Sequence, residues 1–199
     1  MTPGALLLAA VLWYQDDDRI LLLALAACAV HELGHYLALR LVGGRVARLR
    51  ITWAGAEMRL SVRCPLSPPR QLAAALAGPA ANLLTVPAAC ALGGEGGFCL
   101  AGLSMALGVF NLLPAAPLDG GRALCCLLAP ALGQERAEQG VQALSLVLAG
   151  ALLGLSGVLV WRGMGNLTLL LTSGWLAGLI LSRHAEKKGK FPLAIGEWL

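Results

Sequence analysis

Long apolar segments separated by short polar connections dominate the chain. A helix that crosses a bilayer needs about 20 predominantly apolar residues, and the sequence repeats this pattern, in full or shortened form, along its whole length. The candidate spans are residues 4–14, 20–42, 71–92, 98–113, 141–161 and 167–182. The first, fourth and sixth are short, and 4–14 is either a tilted half-span or an interfacial helix. The pattern predicts an all-α polytopic membrane protein with about six transmembrane helices.

A different periodicity occupies residues 45–63. Apolar and polar residues alternate from Val46 to Trp53 and again from Met58 to Val62, with a small-residue turn between them. Alternation with a period of two is typical of β-strands, so the segment predicts a small cytosolic β-hairpin. The prolines that follow, Pro65, Pro68 and Pro69, predict a break before the next helix.

The composition agrees with this class. The chain has 199 residues, of which 58% are hydrophobic and 13% charged, and its mean hydropathy is +0.74. Soluble domains contain about 25% charged residues. We therefore expect one membrane-embedded domain over 1–185 and a short cytosolic tail over 186–199, with the lipid bilayer as the surroundings. The net charge of +4 is small and scattered, which excludes a nucleic-acid surface. The six cysteines form no CxxC pair, so neither a disulfide framework nor a cysteine zinc site is expected.

The basic residues predict an orientation. Cytosolic loops of membrane proteins carry an excess of Lys and Arg. In this chain such residues concentrate in the hairpin region, at Arg136 in the 134–140 connection, and in the tail after Arg183. If every candidate segment spans, these connections lie on one side, and both termini are cytosolic. If 4–14 does not span, the N-terminus lies on the other side.

The second apolar segment contains His31-Glu32-Leu33-Gly34-His35. Ionisable residues at bilayer depth are costly and usually functional. Histidines four residues apart share one helix face, so both imidazoles can reach one Zn²⁺, and Glu32 is placed to take a proton from water. The alternative is two core histidines and a stray glutamate. We expect one zinc ion per chain.

A catalytic zinc usually has three protein ligands, and the remaining intramembrane acid is Asp119. Pro114 and Pro117 disrupt a helix, and the glycines at 120 and 121 permit unusual backbone angles. The helix that starts at Phe98 should therefore unwind near Asn111, which is tolerated where the backbone lines a cavity. The alternative is a proline-glycine turn at the membrane surface with a solvated aspartate.

Three further polar residues are candidates for supporting roles. Asn82, in Gly78-Pro-Ala-Ala-Asn82, and Asn111 can bind substrate or an oxyanion, or can tie helices together. Arg122 can brace Asp119, or can extend to the membrane interface.

Together these motifs resemble the site-2 protease family of intramembrane zinc metalloproteases, and most closely its stage IV sporulation protein FB type. HExxH, GPxxN and NxxPxxPxDGG occur in that family's order over roughly residues 20–130. The resemblance implies zinc held by His31, His35 and Asp119, with Glu32 as the catalytic base. It also implies a bacterial inner-membrane location and cleavage of a membrane-associated protein, such as a pro-sigma factor during sporulation, under the control of membrane regulatory proteins. Two features of relatives, a PDZ domain between the motifs and a CBS domain after the last helix, are missing.

Two other functions compete with peptide-bond hydrolysis. A zinc or divalent-metal transporter would need further polar ligands along a path to the other membrane face, and the chain has only three histidines. A catalytically inactive scaffold would commonly have lost the glutamate of HExxH, which is intact. As a protease, the chain would have to hold its substrate in an extended form, and the hairpin offers either an edge strand for this purpose or a cap on the mouth of the site.

Overall fold

The computed structural model describes residues 20–43, 46–52, 55–60 and 66–162, together with 173, 174, 177, 178 and 180. Five helices and one β-hairpin lie in these ranges. The elements in chain order are α1 (Ile20–Leu41), β1 (Val46–Thr52), β2 (Gly55–Leu60), α2 (Pro68–Leu92), α3 (Gly94–Asn111), α4 (Asp119–Leu132) and α5 (Gln134–Trp161). The described residues fall into two compact units, which divide between Leu112 and Leu113.

Three of the described helices, α1, α2 and α5, are long and apolar enough to cross a membrane. Their large apolar side chains face outwards: Leu84 is 74% exposed and Val147 is 69% exposed. Polar side chains are instead buried, among them His31, Asn82 and Ser145. This inversion of the usual soluble arrangement fits an integral membrane protein, because lipid tails solvate the apolar surface.

Helices α1, α2 and α3 form the first unit. Gly34 permits close approach of α1 to α2, since a Cβ at this position would lie 2.6 Å from the Ala77 oxygen and 2.8 Å from the Ala81 Cβ. Small residues at such crossings let two backbones approach and gain dispersion energy without a hydrophobic driving force. Near the end of α1, Leu39 packs with Leu66 and Ala74 in a small apolar core. These contacts pack the face of α1 that carries the histidines against α2.

The prolines before α2 do not act as predicted. Pro68 and Pro69 are the first two residues of the helix rather than a break before it. Proline is favoured at this position because its missing N–H has no partner in the first helical turn and its φ already suits a helix. Two more prolines, Pro79 and Pro87, lie inside α2, where each removes one helical hydrogen bond.

Strands β1 and β2 pair antiparallel, with Leu49 opposite Met58 and Thr52 opposite Gly55. The pairing is irregular between Val46 and Arg48. Both strands lie inside the range 45–63 in which the alternation predicts a hairpin.

The second unit begins with the turn after α3. Helix α3 ends at Asn111, where the sequence predicts unwinding, and irregular backbone continues to Leu118 before α4 starts at Asp119. The sequence did not predict α4, and the connection predicted at 134–140 is in fact the first part of α5. The candidate span 4–14, both termini and most of 167–182 lie outside the described residues. The count of six spans, the single domain and the orientation stay predictions.

Candidate metal site

The two histidines of the HExxH motif face each other on α1. The Nε2 atoms of His31 and His35 are 3.2 Å apart, and the rings meet edge to face with centroids 4.8 Å apart. His31 is buried and only 6% exposed, and His35 is half-buried. The fourth-residue spacing of the helix thus directs the same nitrogen of both rings towards one point.

A hydrogen bond from the second ring nitrogen, Nδ1, holds the His35 side chain in place. Its Nδ1 donates a hydrogen bond of 2.8 Å to the main-chain oxygen of Ala74 on α2. A carbonyl oxygen can only accept, so Nδ1 carries the proton of the neutral ring, and Nε2 is left with its lone pair. This is the form of histidine that binds a metal through Nε2.

The ring of His35 fits because residue 78 has no side chain. A Cβ at Gly78 would fall onto this ring, 2.6 Å from Cε1 and in overlap with Nε2. The absence of a side chain at Gly78 thus leaves the volume that the imidazole occupies.

His31 has a side-chain partner instead. The Nδ2 atom of Asn82, on α2, lies 3.2 Å from His31 Nδ1. Asn82 is fully buried, and its Oδ1 has no hydrogen-bond partner among the described residues. Glu32, the residue between the two histidine positions in the motif, is half-buried on α1.

Asp119 is the first residue of α4 in the second unit, and it is 6% exposed. A carboxylate in the first turn of a helix is stabilised by the unpaired backbone N–H groups there. The preceding turn is fixed by Ser145 of α5, whose Oγ accepts a 2.7 Å hydrogen bond from the Ala116 amide and donates one of 2.6 Å to the Val141 oxygen. Sequence reasoning missed this serine, because a serine in an apolar helix gives no sign of its partner.

Arg122 and Asn111, the other two candidates, have partners on their own helices. Nη1 of Arg122 lies 3.5 Å from Asp119 Oδ1, one turn along α4. Nδ2 of Asn111 donates to the Leu107 oxygen at 3.0 Å, within α3. The brace by Arg122 and the substrate or oxyanion roles of Asn82 and Asn111 stay predictions.

The facing nitrogens of His31 and His35 are two donors that suit Zn²⁺. Asp119, in the second unit, stays the predicted third ligand; with it the donor set would be two imidazoles and one carboxylate, which leaves a coordination position open. The proton on His35 Nδ1 supports the same conclusion, since it leaves the facing nitrogen able to coordinate.

Comparison with known proteins supports this description of the fold. Residues 97–155 match peptidase family M50. The site-2 protease from Methanocaldococcus jannaschii superposes with a TM-score of 0.68 at 22% sequence identity, over 96% of this chain and 88% of that one. The chain resembles the site-2 proteases. The resemblance to the site-2 protease family is therefore confirmed, whereas the resemblance to its stage IV sporulation protein FB type stays a prediction. The structural likeness shows that the fold is shared.

A third similarity concerns a longer protein. The candidate zinc metalloprotease sll0528 of Synechocystis sp. is 32% identical in an alignment of 117 positions, and the alignment covers 52% of this chain. The aligned part spans 29% of that relative's length.

Proposed function

We propose that this chain is an intramembrane zinc metalloprotease of the site-2 type, which hydrolyses a peptide bond of a membrane-associated protein near the cytosolic face. The single observation that carries the proposal is the histidine pair, with facing Nε2 atoms and His35 anchored through Nδ1. The match to peptidase family M50 and the likeness to a site-2 protease fold support it independently.

In this proposal His31, His35 and Asp119 hold the zinc ion. When bound, zinc supplies a Lewis acid for the peptide carbonyl and for water. Glu32 accepts a proton from water and returns it to the leaving amine, which is the task of a general base and then a general acid. The Ala74 oxygen and the gap at Gly78 orient His35, and Ser145 holds the turn that presents Asp119.

We propose that the substrate is a pro-sigma factor in a sporulating bacterium and that membrane regulatory proteins control its cleavage, as the family resemblance implies. The distribution of basic residues supports cytosolic termini. A helical substrate hides its carbonyl groups in its own hydrogen bonds, so it must be extended before attack. We propose that an edge of the β1–β2 hairpin holds it in this form by strand addition.

The test compares purified wild type, Glu32→Gln and Asp119→Asn in detergent, with zinc analysis and cleavage of a membrane-tethered pro-sigma reporter. Glu32→Gln should retain zinc and lose cleavage by roughly 10²–10⁴-fold, the usual contribution of a general acid–base group. Asp119→Asn should lose both zinc and cleavage, because an amide oxygen carries no charge to share with the metal.

Glu135→Gln is the matched control, since Glu135 is exposed at the start of α5. It should behave as the wild type. Cleavage by Glu32→Gln at the wild-type rate would contradict the proposal. So would zinc transport across vesicles that is unaffected by Glu32→Gln and occurs without proteolysis, because a transporter needs no general base.

A further inference from the structure

The second glycine of Asp119-Gly120-Gly121 has a role that the motif alone does not reveal. The sequence attributes these glycines to unusual backbone angles, yet Gly121 lies in the first turn of α4 and does not have a positive φ. Glycine is the poorest helix former after proline. A helical glycine at this position therefore has a reason other than its backbone freedom.

Gly121 lies directly against the backbone of the turn that precedes α4. A Cβ at this position would overlap the Ala115 carbonyl group and would lie 2.8 Å from the Ala116 nitrogen. Ala115 is fully buried, and the atoms concerned belong to the main chain, so no side-chain rotation can relieve the overlap. Non-bonded heavy atoms lie about 3.5–4.0 Å apart, so a methyl group here would require the turn to move by on the order of 1 Å.

The peptide group between Ala115 and Ala116 is held from two further directions. The Ala116 amide donates a 2.7 Å hydrogen bond to Ser145 Oγ on α5. The Ala115 oxygen accepts a 2.8 Å hydrogen bond from the amide of Leu118, the residue directly before Asp119. Because the same oxygen faces Gly121, a displacement of this peptide group is passed on to the start of α4, where Asp119 lies.

We propose that Gly121 is a positioning residue for Asp119, because the room it leaves seats the 115–116 peptide group and thereby fixes where the carboxylate is presented. The inference rests on the proposed function, since it takes Asp119 as the third zinc ligand. Ser145 acts on this peptide group through a hydrogen bond, whereas Gly121 acts by leaving space. Binding groups must be held within about 0.5 Å of their working positions, so the shift that a methyl group forces is large enough to disturb the ligand.

The first test is zinc affinity, measured by competition with a chelator on the purified full chain in detergent. Gly121→Ala should weaken zinc binding by about 10–100-fold, as disturbance of a residue behind a metal ligand usually does. The matched control is Gly150→Ala on α5 of the same unit, where a Cβ would meet no described atom within 4 Å. It adds the same methyl group to a helical glycine and should leave the affinity unchanged.

The second test reads the ligand set directly, by the visible absorption spectrum of the full chain loaded with Co²⁺ in place of Zn²⁺. This spectrum depends on the number, type and geometry of the metal ligands. We expect the spectrum of Gly121→Ala to differ from that of wild type, because the carboxylate has moved, and the spectrum of Gly150→Ala to match it. A merely structural glycine would lower the loaded fraction and leave the spectrum of that fraction unchanged.

The outcomes separate the two proposals. A wild type that binds no zinc overturns the proposed function. A wild type that binds zinc, together with a folded Gly121→Ala whose Co²⁺ spectrum is that of wild type, overturns only the role of Gly121. If Gly121→Ala does not fold, Ser145→Ala decides, because it releases the same peptide group from its other side. A changed Co²⁺ spectrum in Ser145→Ala supports the inference, and a wild-type spectrum overturns it.

Discussion

At the scale of single residues, the histidine pair shows how a short motif depends on atoms outside it. His35 needs a main-chain oxygen at Ala74 and the missing side chain at Gly78, whereas His31 needs the amide of Asn82. Ala74, Gly78 and Asn82 all lie on α2, so the orientation of both rings is determined by how closely α1 and α2 pack.

Gly78→Ala should therefore damage the site although it adds one methyl group. The new Cβ would overlap the His35 ring, so the ring must turn and lose its bond to Ala74 or α2 must move away. We expect zinc affinity to fall by about 10–100-fold and cleavage to fall with it. Chelator competition and the reporter assay measure the two effects.

The matched control for this substitution is Gly102→Ala on α3, where a Cβ would meet nothing within 4 Å. It should leave zinc binding intact, since alanine is a better helix former than glycine by about 1 kcal/mol. Wild-type zinc affinity in folded Gly78→Ala would show that the ring position does not matter.

The sequence predicts the residues that carry the chemistry of the site better than it predicts the residues that orient them. His31, Glu32 and His35 are recognisable from their spacing, and Asp119 is found because few other acids lie in apolar segments. The partners of the histidines are not recognisable. The contact of Asn82 with His31 and that of Gly78 with His35 arise only when α1 and α2 cross at a particular register, and apolar patterns do not specify that register.

At the scale of elements, the turn from Leu112 to Leu118 depends on α5. The Ser145 hydroxyl accepts a hydrogen bond from the Ala116 amide and donates one to the Val141 oxygen, so it joins irregular backbone to a regular helix. A backbone amide at this depth that lost its acceptor would have no water to replace it.

Ser145→Ala should accordingly lower the free energy of unfolding by about 1–3 kcal/mol, the cost of leaving a buried donor unpaired. Cleavage should also fall, because the turn precedes Asp119. Denaturant titration in mixed micelles measures the first effect. Ser156→Ala on the same helix is the control: its hydroxyl donates to the Leu153 oxygen of its own helix and lies 3.4 Å from the Ser173 hydroxyl, so its removal leaves no backbone amide unpaired. Equal stability of the two variants would refute the role of Ser145.

Hydropathy located the long helices but not the short one. The segment 20–42 becomes α1, and the end of α3 at Asn111 follows from Pro114 and Pro117. Helix α4 was missed because Gly120, Gly121 and Arg122 interrupt its apolar run, which is too short to span. The start of α5 was taken for a connection because it is polar, yet glutamine, glutamate and arginine are good helix formers. Hydropathy reports where a segment is solvated, not whether it is helical.

At the scale of the whole molecule, the outward apolar faces offer a way to tell whether lipid or water surrounds the helices. Val147, near the middle of α5, is 69% exposed. In water, a lysine at an exposed position changes stability by less than about 0.5 kcal/mol. In a bilayer the same change costs about 2.5–3.5 kcal/mol at the helix centre.

Val147→Lys should therefore reduce the membrane-inserted fraction, measured by resistance to alkaline extraction, whereas Val147→Ala should not. Val147→Lys that inserts and cleaves as the wild type would place this face of α5 away from lipid.

The unequal anchoring of the two rings has a genetic consequence. The oxygen that holds His35 belongs to the peptide backbone, so every amino acid at position 74 supplies it, and only size limits what the fully buried position accepts. The group that holds His31 is encoded, and a single nucleotide change can remove it. In a saturation screen, loss of function through lost polarity should therefore cluster at codon 82, while codon 74 should discriminate by bulk alone.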